Sequence, residues 1–418
     1  MAYAHSVASI ALQVQTERVA STTLDRVLPA GRHRIDAIYA HVPFCFHKCH
    51  YCDFYSFVDS DDRQEVFVER MEQECAFARD RIDGSLRSVF VGGGTPTLLA
   101  PQLLGRMLRA IGGLVGDAKV EWTVEANPET VTQEVAETLV QSGVNRVSVG
   151  AQSFESTHLK KLERWHDPAN VSRAVDALRK AGIANINLDL IFGIPGQTVE
   201  ESTRDVQRAL SIGIEHLSAY GLTYEPNTAM TKRLMRGEFD PASDDLEAEM
   251  YEAIQSLMVH HGYEQYEISN WSKPGLACQH NLTYWRNRPW WALGPSASGF
   301  IAGHRFKIVP RLGDWLARGG DAPDGLGAPP ILDHEPPDEG RHVSEALMLG
   351  LRIVGGISSG EQPGIDATLE ARAIELRPER AKLIETALTG GILERAQGRL
   401  RLSPRGMLVA DGLLSELV

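Results

Sequence analysis

Three of the chain's five cysteines, Cys45, Cys49 and Cys52, fall in the spacing C-x3-C-x2-C. Thiolates are ligands for iron–sulfur clusters and for zinc, and a closed site of either kind uses four protein ligands. No fourth cysteine stands nearby in the sequence. Three thiolates would leave one iron of a four-iron cluster open to an outside ligand, which is what a cluster needs if it does chemistry as well as electron transfer. Two plainer readings compete on these residues alone: a zinc site completed by His47, His50 or Asp53, and buried free thiols.

The element that must carry this loop comes just before it. Ile38 to Val42 is a short apolar run ended by Pro43, which predicts a buried strand with the thiols on the loop leaving its C-terminal end. Five more apolar runs follow, each before a helical pattern: Ser88 to Val91, Val120 to Val124, Arg146 to Val149, Asn185 to Ile191 and His216 to Tyr220. Repeated strand and helix at this spacing predict parallel strands joined by crossover helices. Such folds gather ligand-binding residues at the C-terminal ends of their strands, and polar residues stand at those ends here. After the second run comes Gly92-Gly93-Gly94-Thr95, either a tight turn or a loop whose amides are free to bind a carboxylate or phosphate. The third ends at Glu125, which could bind a ribose hydroxyl or an ammonium, or could simply start the next helix. The fourth ends near Gln152, whose amide both donates and accepts. Arg164, further on, has a fork suited to a carboxylate, or is a solvated helix arginine. In the fifth, Asp189 alternates with apolar neighbours, where an unpaired carboxylate is costly and a bound partner is the simpler explanation.

The run Tyr39-Ala-His41-Val-Pro43-Phe44-Cys45, followed by Lys48-Cys49-His50-Tyr51-Cys52, resembles the cluster loop of radical S-adenosylmethionine (SAM) proteins. More narrowly, it resembles the branch that holds oxygen-independent coproporphyrinogen III oxidase and a related heme chaperone. The resemblance implies an α/β fold, a partial six-fold (βα) radical SAM barrel with a small C-terminal winged-helix-like domain. It implies a 4Fe-4S cluster on Cys45, Cys49 and Cys52, whose open iron takes the amino and carboxylate groups of S-adenosyl-L-methionine. Once reduced, a cluster of this family cleaves SAM to a deoxyadenosyl radical. Tyr39, Tyr51, Gly93, Gly94, Thr95, Glu125, Gln152, Arg164 and Asp189 fall where the resemblance expects SAM contacts, and Thr223, after the sixth strand, is a further carry-over.

One departure separates two functions. The oxidase continues its cysteine loop as C-x3-C-x2-C-x-C, whereas the last position here is Phe54, in the Cys52-Asp53-Phe54 that the chaperone branch resembles. The run His280-Asn281-Leu-Thr-Tyr284-Trp285 is similar to the H-N-x-x-Y-W of the same branch. It makes His280 and Cys278 candidate heme contacts, against the plainer reading of a histidine hydrogen-bonded in an aromatic core. The resemblance thus implies a protein that binds heme, draws on an electron donor and delivers heme to heme-accepting proteins in the cytoplasm or at its membrane side, which leaves peripheral membrane association open. The alternative is the oxidase: a radical abstracts hydrogen from a propionate of coproporphyrinogen III, carbon dioxide leaves, and a vinyl group remains.

A chain of 418 residues has room for a large domain and one or two small ones. Residues 1–36 read as an N-terminal arm and 37–243 as the barrel. Residues 244–316 form an aromatic-rich extension, with four of the seven tryptophans between 271 and 291. That density suits a flat aromatic ligand, or a hydrophobic strand pair packed on the barrel. Residues 317–340, rich in Gly, Pro and Asp, read as a linker, and 341–418, with three helical patterns and a terminal hairpin, as the winged-helix-like domain. Cys75, on an apolar helical stripe, is expected in the core. Hydrophobic content of 43% and charged content of 23% are ordinary for a globular protein, and no apolar run approaches a membrane span. The net charge of −13 argues against nucleic acid as a partner. Clustered cysteines read as a metal site in a reducing compartment. Val7 to Val14 lacks a basic start and a cleavage site, so no secretory signal is expected and the expected location is the cytoplasm; the arginines at 18, 26, 32 and 34 leave an organelle-targeting segment open.

Overall fold

The computed structural model describes residues 22–59, 61–84, 86–318, 327–355, 358, 360 and 362–418. Most of the expected arm, residues 1–21, and residues 319–326 of the expected linker lie outside the described residues.

The six apolar runs form strands Ala37–Val42, Ser88–Gly93, Glu121–Ala126, Arg146–Gln152, Asn185–Phe192 and His216–Gly221. They pair parallel, each with the next in the chain. Strands buried on both faces read as near-continuous apolar runs, which is why these are visible in the sequence. The crossover helices show the complementary pattern. In Pro101–Val115, Leu104, Met107, Leu108 and Ile111 recur at helical spacing and are buried. Helix Val199–Ile212 starts on a capping box between Thr198 and Glu201. Helix Ala169–Ala181 stops at Gly182, whose φ of 114° a residue with a side chain would resist. Together these elements make the α/β partial barrel, and Cys75 lies buried in its core.

The aromatic-rich stretch widens the sheet on both sides. Asn270–Ser272 and Glu264–Glu267 add antiparallel strands beyond the sixth barrel strand. Beside the first, Trp290–Leu293 pairs parallel with residues 37–40, followed by antiparallel Ser298–Ile301, His304–Ile308, Pro330–Glu335 and Thr22–Thr23. Pro330–Glu335 falls in the stretch read as linker, and Thr22–Thr23 in the stretch read as an arm. A short edge strand whose partners are distant in sequence leaves little periodic signal, and the Gly, Pro and Asp around it resemble a loop. Trp271 and Trp291 are fully buried.

At the C-terminal end, helices Glu339–Leu351, Ala367–Leu376 and Glu379–Thr389 precede the hairpin of Leu393–Ala396 with Arg399–Leu402. The first of these helices begins before its apolar pattern does, because Asp338 caps it by accepting from the Arg341 N–H. Leu347 and Leu351 join the same hydrophobic core as the barrel. Among the described residues no helix is long and apolar enough to cross a membrane.

Candidate cofactor site

The loop carrying the thiols is clamped at its base. The Cys45 N–H donates to the Phe57 carbonyl (2.9 Å) and the Phe57 N–H to the Pro43 carbonyl (3.0 Å), which closes residues 43–57 into one loop. The glycine loop after the second barrel strand holds it from the side. Gly94 N–H donates to the Val42 carbonyl and Thr95 N–H to the Phe44 carbonyl, each at 2.7 Å. A Cβ at Gly94 would stand 2.6 Å from the Phe44 oxygen, so glycine is what lets these two loops touch. The Thr95 hydroxyl lies 3.8 Å from Cys45 Sγ. At the far rim, Met230 N–H donates to the His50 carbonyl at 2.8 Å.

Cys45, Cys49 and Cys52 open onto one cavity of about 410 Å³ at the C-terminal ends of the barrel strands. Burial pushes the Cys45 thiol up and the Cys52 thiol up to about 11. Metal coordination reverses that preference by holding thiolate. On the opposite wall stand two carboxylates. Burial, followed by the charge of Asp189, pushes Glu125 up to about 8, while the Gly93 N–H opposes this by donating to its Oε2 at 2.9 Å. Burial also raises Asp189, against hydrogen bonds from Ser148 Oγ (2.9 Å) and Asn187 Nδ2 (2.8 Å). Asp189 therefore has protein partners already, and its place in the strand does not by itself demand a ligand. What does point to one is that both acids keep part of their surface toward the cavity.

Arg164 lies past the end of the short helix Ser156–Lys161, on the loop that follows it, and reaches from there to the thiols. Its Nη1 lies 3.6 Å from Cys49 Sγ, and its Nη2 donates to the Gly150 carbonyl at 3.0 Å. A Cβ at Gly150 would sit 2.9 Å from that guanidinium. Gln152, beside it, has a φ of 62°, with a register shift between Gly150 and Gln152. A non-glycine residue in the left-handed region at a bulged strand end is strained backbone of the kind that collects at binding sites.

The residues fit a cluster with SAM better than a zinc ion. Among the described residues no three His, Cys, Asp or Glu side chains converge closely enough to share one metal ion. A zinc ion would also need a fourth ligand from His47, His50 or Asp53, whereas a cluster with SAM needs none. His47 stacks on Trp165, ring centroids 4.0 Å apart, and His50 Nδ1 lies 3.3 Å from Arg233 Nη1.

Of the residues singled out in the sequence, this cavity brings together the three cysteines, Tyr51, Gly93, Gly94, Thr95, Glu125, Gln152, Arg164, Asp189 and Thr223. Tyr39 borders a second cavity, its hydroxyl 3.0 Å from His41 Nδ1. His280 and Cys278 lie apart from both cavities. His280 is 2% exposed, with Nδ1 3.0 Å from Ser88 Oγ and Nε2 2.9 Å from Tyr284 OH, so both ring nitrogens have protein partners. Cys278 is buried, 3.3 Å from Glu121 Oε1, and neither residue lines these two cavities. Ser148 and Tyr220 also line the first cavity and escaped the sequence reading. Alternation carries a signal for Ser148, which shares a strand face with Gly150 and Gln152.

The radical SAM superfamily profile matches residues 39–209. The heme chaperone HemW of Lactococcus lactis is 37% identical over 324 residues, 77% of this chain and 83% of that protein. HemW of Mycobacterium tuberculosis is 34% identical over 397 residues, 91% of this chain and 94% of the relative. Among solved structures, the coproporphyrinogen III oxidase HemN of Escherichia coli, a radical SAM enzyme, has the same fold, with a TM-score of 0.76 over 92% of this chain and 90% of that one at 17% identity. The family implies a 4Fe-4S cluster and SAM. With its cysteine loop and strand-end residues gathered on one cavity, and identity of this level across most of its length, the chain belongs to the radical SAM superfamily and, within it, to the family of the HemW heme chaperones.

Proposed function

We propose that this protein holds a 4Fe-4S cluster on Cys45, Cys49 and Cys52, holds S-adenosyl-L-methionine beside it, and binds heme and passes it to acceptor proteins. The observation that carries the reading is the convergence of three thiols, a glycine loop and two half-buried acids on one cavity, in a chain whose relatives are heme chaperones. When bound, the cluster supplies an electron and an open iron for the amino and carboxylate groups of SAM. The chain's own residues bind and orient. The Gly93–Thr95 loop, its amides committed to Glu125, Val42 and Phe44, walls the amino-acid end, the Arg164 fork faces its carboxylate, Glu125 and Asp189 supply negative charge toward a sulfonium and acceptors for ribose hydroxyls, and Gln152 and Tyr51 close the sides. An electron donor would supply the electron that a bound cluster needs. The protein works in the cytoplasm, with acceptors there or at the membrane surface, where a peripheral association fits.

The oxidase shares this fold, but Phe54 stands where its pattern has a fourth cysteine. A paired assay on one anaerobically reconstituted preparation separates the two. The chaperone reading expects uptake of heme with a shifted absorption band and no decarboxylation; conversion of coproporphyrinogen III to protoporphyrinogen IX would overturn it.

A further inference from the structure

We infer that heme sits in the second cavity, anchored by Lys307, and that His280 serves this cavity through Tyr284 rather than as an iron ligand. The inference rests on the heme-binding reading above and adds where the ligand lies and what holds it. The cavity has a volume of about 580 Å³, inside the range of roughly 300–1,000 Å³ typical of cofactor pockets. It shares Asp53 and Phe54 with the thiol-lined cavity, so the two meet at the loop position where the oxidase pattern has its fourth cysteine.

Its walls suit a flat, carboxylated ligand. Tyr39, Tyr284 and Trp290 line it, with Tyr284 and Trp290 in edge contact at 4.6 Å between ring centroids. The Arg305 guanidinium lies over Phe300 at 4.2 Å and Trp290 at 5.3 Å, and Glu345 holds it in place at 2.6 Å. Arg305 is thus a planar, already neutralised part of the wall, fit for stacking. Lys307 follows two residues on along the same strand, so it shares that face and brings positive charge to the same cavity. That charge reaches His41, which is held down to about 4 by burial and, further, by Lys307. An aromatic slot with an ammonium at one end recognises a planar macrocycle with carboxylates on one edge.

His280 cannot offer the iron a nitrogen without breaking its hydrogen bond to Ser88 or the one to Tyr284. Its contribution is to fix the Tyr284 ring that forms the wall, which makes it a positioning residue.

Titration of the cluster-loaded full chain with heme and with heme dimethyl ester, whose carboxylates are blocked, tests both parts. Wild type should prefer heme to the ester by about tenfold, as a charge-assisted contact of about 1.4 kcal/mol requires. Lys307→Ala should lose that preference by weakening heme alone. His280→Gln, whose amide can still bond Tyr284, should keep the absorption band of bound heme, and His280→Ala should weaken binding without moving the band. Equal wild-type affinity for heme and ester, a comparison that needs no substitution, overturns the site, as does undiminished heme preference in Lys307→Ala. A band displaced in His280→Gln overturns the positioning role. Wild type that takes up neither compound overturns the heme-binding reading itself.

Discussion

Glu125 has to carry charge in a place that disfavours it. Burial and the neighbouring Asp189 raise its carboxyl from the ordinary 4.5 to about 8 in the protein without ligand. Unfolding exposes the group to water, where it ionises near 4.5, so its contribution to stability is full below that pH and is lost as pH rises toward 8. Replacing it by Gln removes this penalty, and the SAM-free variant should be more stable than wild type at pH 8 by about 1–3 kcal/mol, with the gap closing toward pH 5. Denaturant midpoints followed against pH in both proteins measure the difference, and parallel curves would contradict it. The same substitution should weaken SAM binding, since a sulfonium-bearing ligand is what turns the acid pair into an asset. At the other wall, Ala at Cys45, Cys49 or Cys52 should each abolish cluster loading, read as iron and sulfide content. A full cluster in any one of them would show the ligand assignment to be wrong. Heme uptake should survive all three, because the second cavity contains none of the cysteines.

The elements around these residues were legible to different degrees, and the reasons are physical. Parallel strands buried on both faces announce themselves as apolar runs, but their last residues do not: Gly92-Gly93 and Gly150 to Gln152 extend their strands into glycine and polar positions that resemble loop. The strand-end rule points to Glu125 and Gln152 and alternation to Asp189, and all three line the first cavity. The resemblance expects Tyr39 among the SAM contacts, while alternation puts it on one face with His41, away from Ile38, Ala40 and Val42, and that face borders the second cavity. His280 sits on a short helix, Gln279–Trp285, whose burial depends on partners far away in sequence. Distant partners also explain what the sequence says nothing about in helix Gln64–Arg79. There Glu74 is fully buried and accepts from Gly294 N–H (2.8 Å) and Trp315 Nε1 (2.7 Å), with Arg70 at 3.7 Å, tying the helix to the aromatic-rich extension. Burial lowers Arg70 and raises Glu74, so neither charge gains by being there, but removing one partner strands the others. Glu74→Ala should therefore cost about 3–5 kcal/mol, and Glu74→Gln, which keeps an acceptor, less. Chemical denaturation of the variants is the check; a cost below about 0.5 kcal/mol for Ala, the scale of a surface change, would mean the network carries no weight.

At the scale of the whole molecule, charge sets how an anionic ligand arrives. The chain carries a formal −13, a field that repels phosphates and carboxylates alike at long range, while the cation proposed to hold heme is local to one cavity. The two effects act over different distances, so salt separates them. Raising ionic strength from about 10 mM to about 150 mM shortens the screening length from roughly 30 Å to roughly 8 Å, which removes most of the long-range repulsion but little of a contact at Lys307. The association rate of heme should accordingly rise over that range, while the dissociation rate changes less. In Lys307→Ala the dissociation rate should be higher, with the same upward trend of association rate with salt. Stopped-flow absorbance at the band of bound heme gives both constants. An association rate that falls with salt in wild type would mean that a cationic approach surface outweighs the net charge, and would shift the recognition of heme from the single lysine to a wider basic face.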